Sequence, residues 1–134
     1  MIVNGKQVAY KLKGKTYHCA MDISLDYFGG KWKTILLWYM MDGTLRFTEL
    51  KKLMPDITEK TLSIQLKNLE TNGLIKRVSF GRKPPFRVEY SLTEFGKTLI
   101  PAIEAIAKWG KELGNKNGGL VEIEPVNNPV SLPS

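Results

Sequence analysis

The sequence holds a single cysteine, Cys19, and a single histidine, His18, in 134 residues. One thiol excludes an internal disulfide. The pair falls short of the ligand set of a structural zinc site unless a second chain contributes. Long apolar runs are absent too. The longest, Ile35 to Met41, falls well short of the roughly 20 residues needed to cross a bilayer. The N-terminal stretch MIVNGKQVAYKLKGK lacks the apolar core of a signal peptide, so a cytoplasmic protein is expected. No acid–base constellation, phosphate-binding loop or metal cluster accompanies His18 and Cys19. No enzyme activity, cofactor or metal is therefore expected. Internal repeats and low-complexity blocks are missing as well.

Acidic residues are scarce. Residues 1 to 18 contain Lys6, Lys11, Lys13 and Lys15 and no acid, and the whole chain carries a net charge of +7 with a pI near 9.5. That balance favours a polyanionic partner, although many soluble proteins are basic without one. Hydrophobic content of 43% and charged content of 25% are those of one folded domain with a real core.

The most informative stretch is Thr58 to Gly73, TEKTLSIQLKNLETNG. Thr58 is placed to cap a helix, Ile57 and Leu62 stand at hydrophobic-staple positions, and Gly73 supplies a left-handed stop. Leu62, Leu66 and Leu69 make one apolar stripe. At 100° per residue Lys60, Ile64, Lys67 and Thr71 face the other way, flanked by Ser63 and Asn68. Lysine suits phosphate or guanine, serine a base edge, and an aliphatic group a thymine methyl. Taken alone, the same face also reads as an ordinary solvated helix surface.

The neighbouring segments turn this helix into a motif. Val8, Tyr10 and Leu12 alternate ahead of a Lys13-Gly14 turn, which predicts a short hairpin or extended arm at the N-terminus. Its apolar positions are expected to pack on the body or a partner chain; a basic arm reaching for DNA is the alternative. Helices are predicted over Met21–Phe28, over Lys31–Met41 with Trp32, Ile35, Leu36, Tyr39 and Met40 inward, and over Arg46–Leu53 with Phe47, Leu50 and Leu53 inward. Met54 to Ile57 is short enough to make a helix-turn-helix with the helix after Thr58. After Gly73 the period becomes alternating. Leu74 to Ser79 and Phe86 to Leu92 predict a hairpin tipped by GRKPP, with Arg82 and Lys83 at the tip. Thr93 is expected to cap the last helix, which Pro101 kinks or restarts. Leu99, Ile103, Ile106, Trp109 and Leu113 form an apolar stripe longer than a small core needs, so a dimer seam is expected there. Beyond it, Asn115 to Gly119 reads as a joint, Val121 to Val126 as an extended segment that pairs with the N-terminal arm, and the remainder as a loose tail.

In order along the chain stand GGKW (Gly29–Trp32), RFTEL (Arg46–Leu50), ITEKTLSIQLKNLETNGLIKR (Ile57–Arg77), PPFRVEYSLTEFG (Pro84–Gly96) and Trp109. Together they resemble the HxlR family of transcriptional regulators, relatives of the MarR winged-helix proteins, over roughly Cys19 to Leu113. The resemblance implies a homodimer binding double-stranded DNA at a near-palindromic operator, with helices one DNA turn, roughly 34 Å, apart. It implies groove contact by Thr58, Lys60, Ser63, Ile64 and Lys67, contact from the preceding helix by Arg46 and Thr48, and backbone contact by Arg82 and Lys83. An ion-pair role for Arg46 is the alternative. Glu59 stands where many relatives have proline. Cys19 lies where family members carry a cysteine that in several of them senses oxidants or electrophiles. Lys15 and His18 are close enough in sequence to favour a thiolate there. With one cysteine, sensing here requires an intersubunit disulfide or an adduct; a small apolar group at the interface is the other role.

The expected fold is thus mainly α with a small β-hairpin (α+β), a dimeric winged helix-turn-helix. Residues 1–18 form the arm or hairpin, 19–113 the DNA-binding and dimerisation domain, and 114–134 an extended or flexible tail. The expected function is a sequence-specific regulator, a repressor, possessing no membrane association. The alternative is a winged-helix module that binds protein or RNA.

Overall fold

The computed structural model describes residues 1–123. Leu120, Val121 and Ile123 are exposed and form no regular structure. The rest of the segment expected to be extended, and the tail after it, lie outside the described residues.

The N-terminus forms two hairpins where one hairpin or arm was expected. Strands β1 (Ile2–Val3) and β2 (Lys6–Gln7) pair across Asn4-Gly5, and β3 (Tyr10–Leu12) and β4 (Lys15–Tyr17) pair across Lys13-Gly14. Both turns have positive φ at both central residues, 52° and 76°, then 51° and 78°. That is the primed turn whose twist matches the flanking strands, and Asn-Gly is its strongest sequence signal. The second hairpin is clipped to the helix that follows, α1 (Ala20–Phe28). Asp26 accepts from Lys15 Nζ and from the Tyr17 hydroxyl, each at 2.6 Å, and Tyr17 is buried. The hydrogen bonds from Lys15 and then Tyr17 hold the Asp26 carboxyl below its ordinary pKa.

Helix α2 (Lys31–Met40) lies at the centre. Leu36, Leu37 and Met40 are buried, and Trp32, Ile35, Trp38 and Tyr39 pack half-buried around them. Leu37 was not in the expected stripe. The helix is apolar around most of its circumference because it packs against three later elements. These are α4 (Glu59–Thr71), β7 (Arg87–Leu92) and α6 (Ile100–Asn117).

Helix α3 (Phe47–Leu53) follows a two-residue strand, β5 (Leu45–Arg46). Leu50 is fully buried, but Leu53, expected inward, is 44% exposed because it ends the helix where the chain turns away. In α4, Thr58 is the cap, Leu62, Leu66 and Leu69 are buried, and Gly73 takes φ 76°. Each of those leucines contributes about 1.5–3 kcal/mol by leaving water. β6 (Ile75–Phe80) and β7 form the hairpin, with β5 added on the far side of β7, so the sheet order is β5-β7-β6.

Thr93 caps α5 (Glu94–Lys97), accepting from Gly96 N–H at 2.9 Å, and not the last helix. The chain restarts as α6 with Pro101 in its first turn, where a missing N–H costs nothing. Gly96 is buried against the Leu74 carbonyl, an approach that a Cβ would block. The close contact ties the wing's base to α5.

Candidate DNA interface

The face of α4 opposite its leucines is open to solvent. Lys60, Ser63, Ile64, Lys67, Asn68 and Thr71 are all exposed, while Leu62, Leu66 and Leu69 are at most 1% exposed. Ile64 keeps 47% of its surface in water. A single exposed aliphatic is ordinary on a protein surface; set among lysines, this one is also of a kind that can contact a thymine methyl.

Thr58 has a different local role from its neighbours. Its Oγ1 accepts from Thr61 N–H at 3.1 Å and donates to Thr61 Oγ1 at 2.9 Å. The hydroxyl that was expected at DNA is therefore already engaged at the helix start. Glu59, in the first turn, complements the positive end of the helix dipole. Lys67 lies 3.7 Å from Glu70, an exposed pair that holds the ammonium weakly. Lys60, Arg82 and Lys83 have no ion-pair partner among the described residues.

Arg46 is not on the preceding helix, as the sequence reading had it. Its backbone is extended, it pairs with Glu89 across the sheet, and its N–H donates to Glu49 Oε1 at 2.8 Å, capping α3. The physical reason is register: Leu45 and Arg46 complete the wing sheet before α3 begins. Its side chain is exposed, and no ion pair involving it occurs among the described residues; Glu89 is taken by Arg87 at 2.6 Å. Thr48 is exposed in the first turn of α3. β5 thus joins Arg46 to the middle of the wing ladder, whose Arg82 and Lys83 are exposed beyond the Phe80–Arg87 pair.

The sequence reading missed Lys76, Arg77 and Arg87, all exposed on the wing strands. Their signal was there in the charge: residues 46 to 90 hold ten basic and five acidic side chains. The excess belongs to the sheet as well as to α4 and the tip.

Cys19 is exposed at the N-cap of α1, and its carbonyl accepts from Asp22 N–H. Lys15, expected to favour its thiolate, is bonded to Asp26, so its charge is compensated there. Of the expected seam residues, Ile103 is buried in the chain's own core and Leu99 packs against it. Ile106, Trp109 and Leu113 are 52%, 67% and 47% exposed. Helix α6 therefore carries two stripes. Ile100, Ile103 and Ala107 face inward, and Lys111 Nζ lies 5.1 Å from the Trp38 ring. The second stripe, about a third of a turn round the helix, is uncovered. No group of side chains suited to holding a metal occurs among the described residues, and none of their helices is long and apolar enough to cross a membrane.

Two helices joined by a tight connection, followed by a basic hairpin that β5 extends to a three-stranded wing, define a winged helix-turn-helix protein. The chain belongs to the HxlR-like helix-turn-helix family, which it matches over residues 27–117. It is 49% identical over 94 residues to the HTH-type transcriptional regulator YdeP of Bacillus subtilis (strain 168), covering 70% of this chain and 73% of YdeP. Its structure is similar to the redox regulator HypR in its reduced form, with a TM-score of 0.69 and 41% identity over 73% of this chain and 96% of HypR. It is also similar to a MarR-family regulator from Porphyromonas gingivalis W83, with a TM-score of 0.65 and 40% identity over 70% of this chain and 91% of that one.

Proposed function

We propose that the chain is a sequence-specific, DNA-binding transcriptional regulator that acts as a repressor, binding a near-palindromic operator as a homodimer. The observation that carries this reading is the two-sided α4 helix. One side is locked by three buried leucines, and the other presents Lys60, Ser63, Ile64 and Lys67 to solvent. Lys67, Arg82, Lys83 and the wing-strand residues Lys76 and Arg77 supply phosphate attraction, and Ser63 and Ile64 supply base choice. The exposed Ile106–Trp109–Leu113 stripe supports the homodimer, since uncovered large apolar groups in a row favour a partner surface.

A redox response at Cys19 is part of the same proposal. The thiol is exposed at the N-cap of α1, where an oxidant or electrophile can reach it. HypR, to which the chain is similar, is a redox regulator. Two Cys19 thiols, one from each subunit, would lose two protons and two electrons to an oxidant as their S–S bond forms; an activated alkene would instead add at one sulfur, its C=C bond becoming single as an S–C bond forms and the thiol proton passes to the neighbouring carbon.

The test is a genome-wide binding selection with purified protein, reduced and then oxidised, with Trp109→Asp alongside. Enrichment of a palindromic site by a dimer, weakened in the Trp109→Asp variant and altered by oxidant only when Cys19 is present, is the expected result. Failure to retain any duplex at low salt overturns DNA binding and favours a module for protein or RNA. Unchanged binding on oxidation removes the sensing role alone.

A further inference from the structure

An apolar groove of about 330 Å³ opens between the second N-terminal hairpin, α1 and the approach to α6. Leu12, Tyr27, Leu74, Phe95, Thr98 and Leu99 line it. Phe95 is 52% exposed and stands edge-on to Tyr27, ring centroids 6.1 Å apart. Lys13 follows Leu12 in the chain, and its Nζ lies 6.0 Å from the Tyr27 ring. The groove is thus apolar in its lining, with a lysine close to one of its aromatic rings.

The segment after α6 has the complementary character. Leu120, Val121 and Ile123 are 96%, 80% and 78% exposed, and Glu122 stands between two of them. This segment lies beyond the family match, which ends at residue 117. Its own groove is out of reach. Helix α6 has 18 residues, roughly 27 Å at about 1.5 Å each, and carries the chain away from Leu99. Leu120 follows the helix by three residues, which extend at most about 10 Å.

We propose that Leu120–Ile123 of one chain docks in this groove of a second copy. The inference rests on the homodimer proposed above. Trp109 stands near the middle of α6, within the uncovered stripe. A two-fold contact crossing there with the helices antiparallel brings each helix's end level with the start of the other's. That is where Thr98 and Leu99 line the groove. The three aliphatic side chains then leave water, and Glu122 is brought toward Lys13 beside the Tyr27 ring. The same docking ties the N-terminal hairpin, through Leu12 and Lys13, to the dimer.

The test uses full-length chains carrying Cys19→Ser, so that only introduced thiols react. One chain carries Thr98→Cys and the other Val121→Cys; they are co-expressed, purified and oxidised. The expected result is a disulfide-linked heterodimer at least about tenfold above a Lys108→Cys and Val121→Cys control, because docking raises the effective thiol concentration toward millimolar. A dimer by sedimentation without that excess overturns the docking and leaves the homodimer standing. A monomer overturns both. A disulfide formed within single chains of a Thr98→Cys/Val121→Cys double variant overturns the exchange between copies. Truncation after Asn117 supplies a second reading: the dimer persists but melts lower, and an unchanged melting temperature counts against the docking.

Discussion

Replacing Thr58 separates two roles that sequence alone assigned to one hydroxyl. In the structure its Oγ1 accepts the Thr61 N–H at 3.1 Å and donates to Thr61 Oγ1 at 2.9 Å. Thr58→Ala removes the cap from α4, and such changes cost about 0.5–2 kcal/mol. The site is exposed, so water can solvate the freed N–H, which puts the loss near the middle of that range, about 1 kcal/mol. With an unfolding entropy of about 2.1 cal/mol/K per residue over residues 1–123, that loss lowers Tm by about 4 °C. Thr58→Ser keeps the acceptor and should melt with the parent. Thr58→Asp keeps the acceptor and adds charge at the positive end of the dipole, worth about 0.3–1 kcal/mol. It should match or exceed the parent in stability while binding duplex DNA more weakly, with the deficit growing as salt falls. Paired thermal melts at fixed protein concentration and DNA titrations at several salt concentrations measure both. A Thr58→Ala protein within about 0.3 kcal/mol of the parent would refute the capping argument. A stable Thr58→Asp protein with undiminished DNA affinity would place the start of α4 away from the duplex.

Three further outcomes are expected. Lys67→Ala and Lys83→Ala should each weaken binding to all duplexes alike and flatten log K against log salt by about 0.9 per lost phosphate contact; a loss confined to one sequence would contradict a phosphate role. Gly96→Ala drives a Cβ into the Leu74 carbonyl, so it should destabilise the fold by about 1–3 kcal/mol in urea melts, and a neutral substitution would mean that the backbone there can part freely. The Asp26 carboxyl titrates below its ordinary value because of its hydrogen bonds to Lys15 and Tyr17, so its stabilising contribution is complete above the unfolded value of 3.8 and disappears as pH falls through the folded one. The protection factors of the β3–β4 hairpin amides, taken relative to the intrinsic exchange rate at each pH, should therefore fall on acidification into that range, and Asp26→Asn should show lowered protection already at neutral pH; equal protection in both proteins would break the link.

Local periodicity and turn chemistry were enough to place α4 with its cap, stripe and stop, because each depends on neighbours a few residues away. The same holds for the β6–β7 wing and for the Lys13-Gly14 turn. The Asn4-Gly5 turn was equally local and simply went unread. What no spacing rule could supply was anything set by distant partners. Leu37 is buried because α4, α6 and β7 close around α2. Arg46 leaves the helix because β7 offers it a strand partner. Lys15 faces Asp26 because a hairpin folds back on α1. The stripe on α6 looked single in sequence, and tertiary packing divided it: Ile103 is held by the core, while Ile106, Trp109 and Leu113 are left uncovered. A sequence states which side chains share a helix face, through a fixed 100° step; only the packed chain states which part of that face another element has already covered.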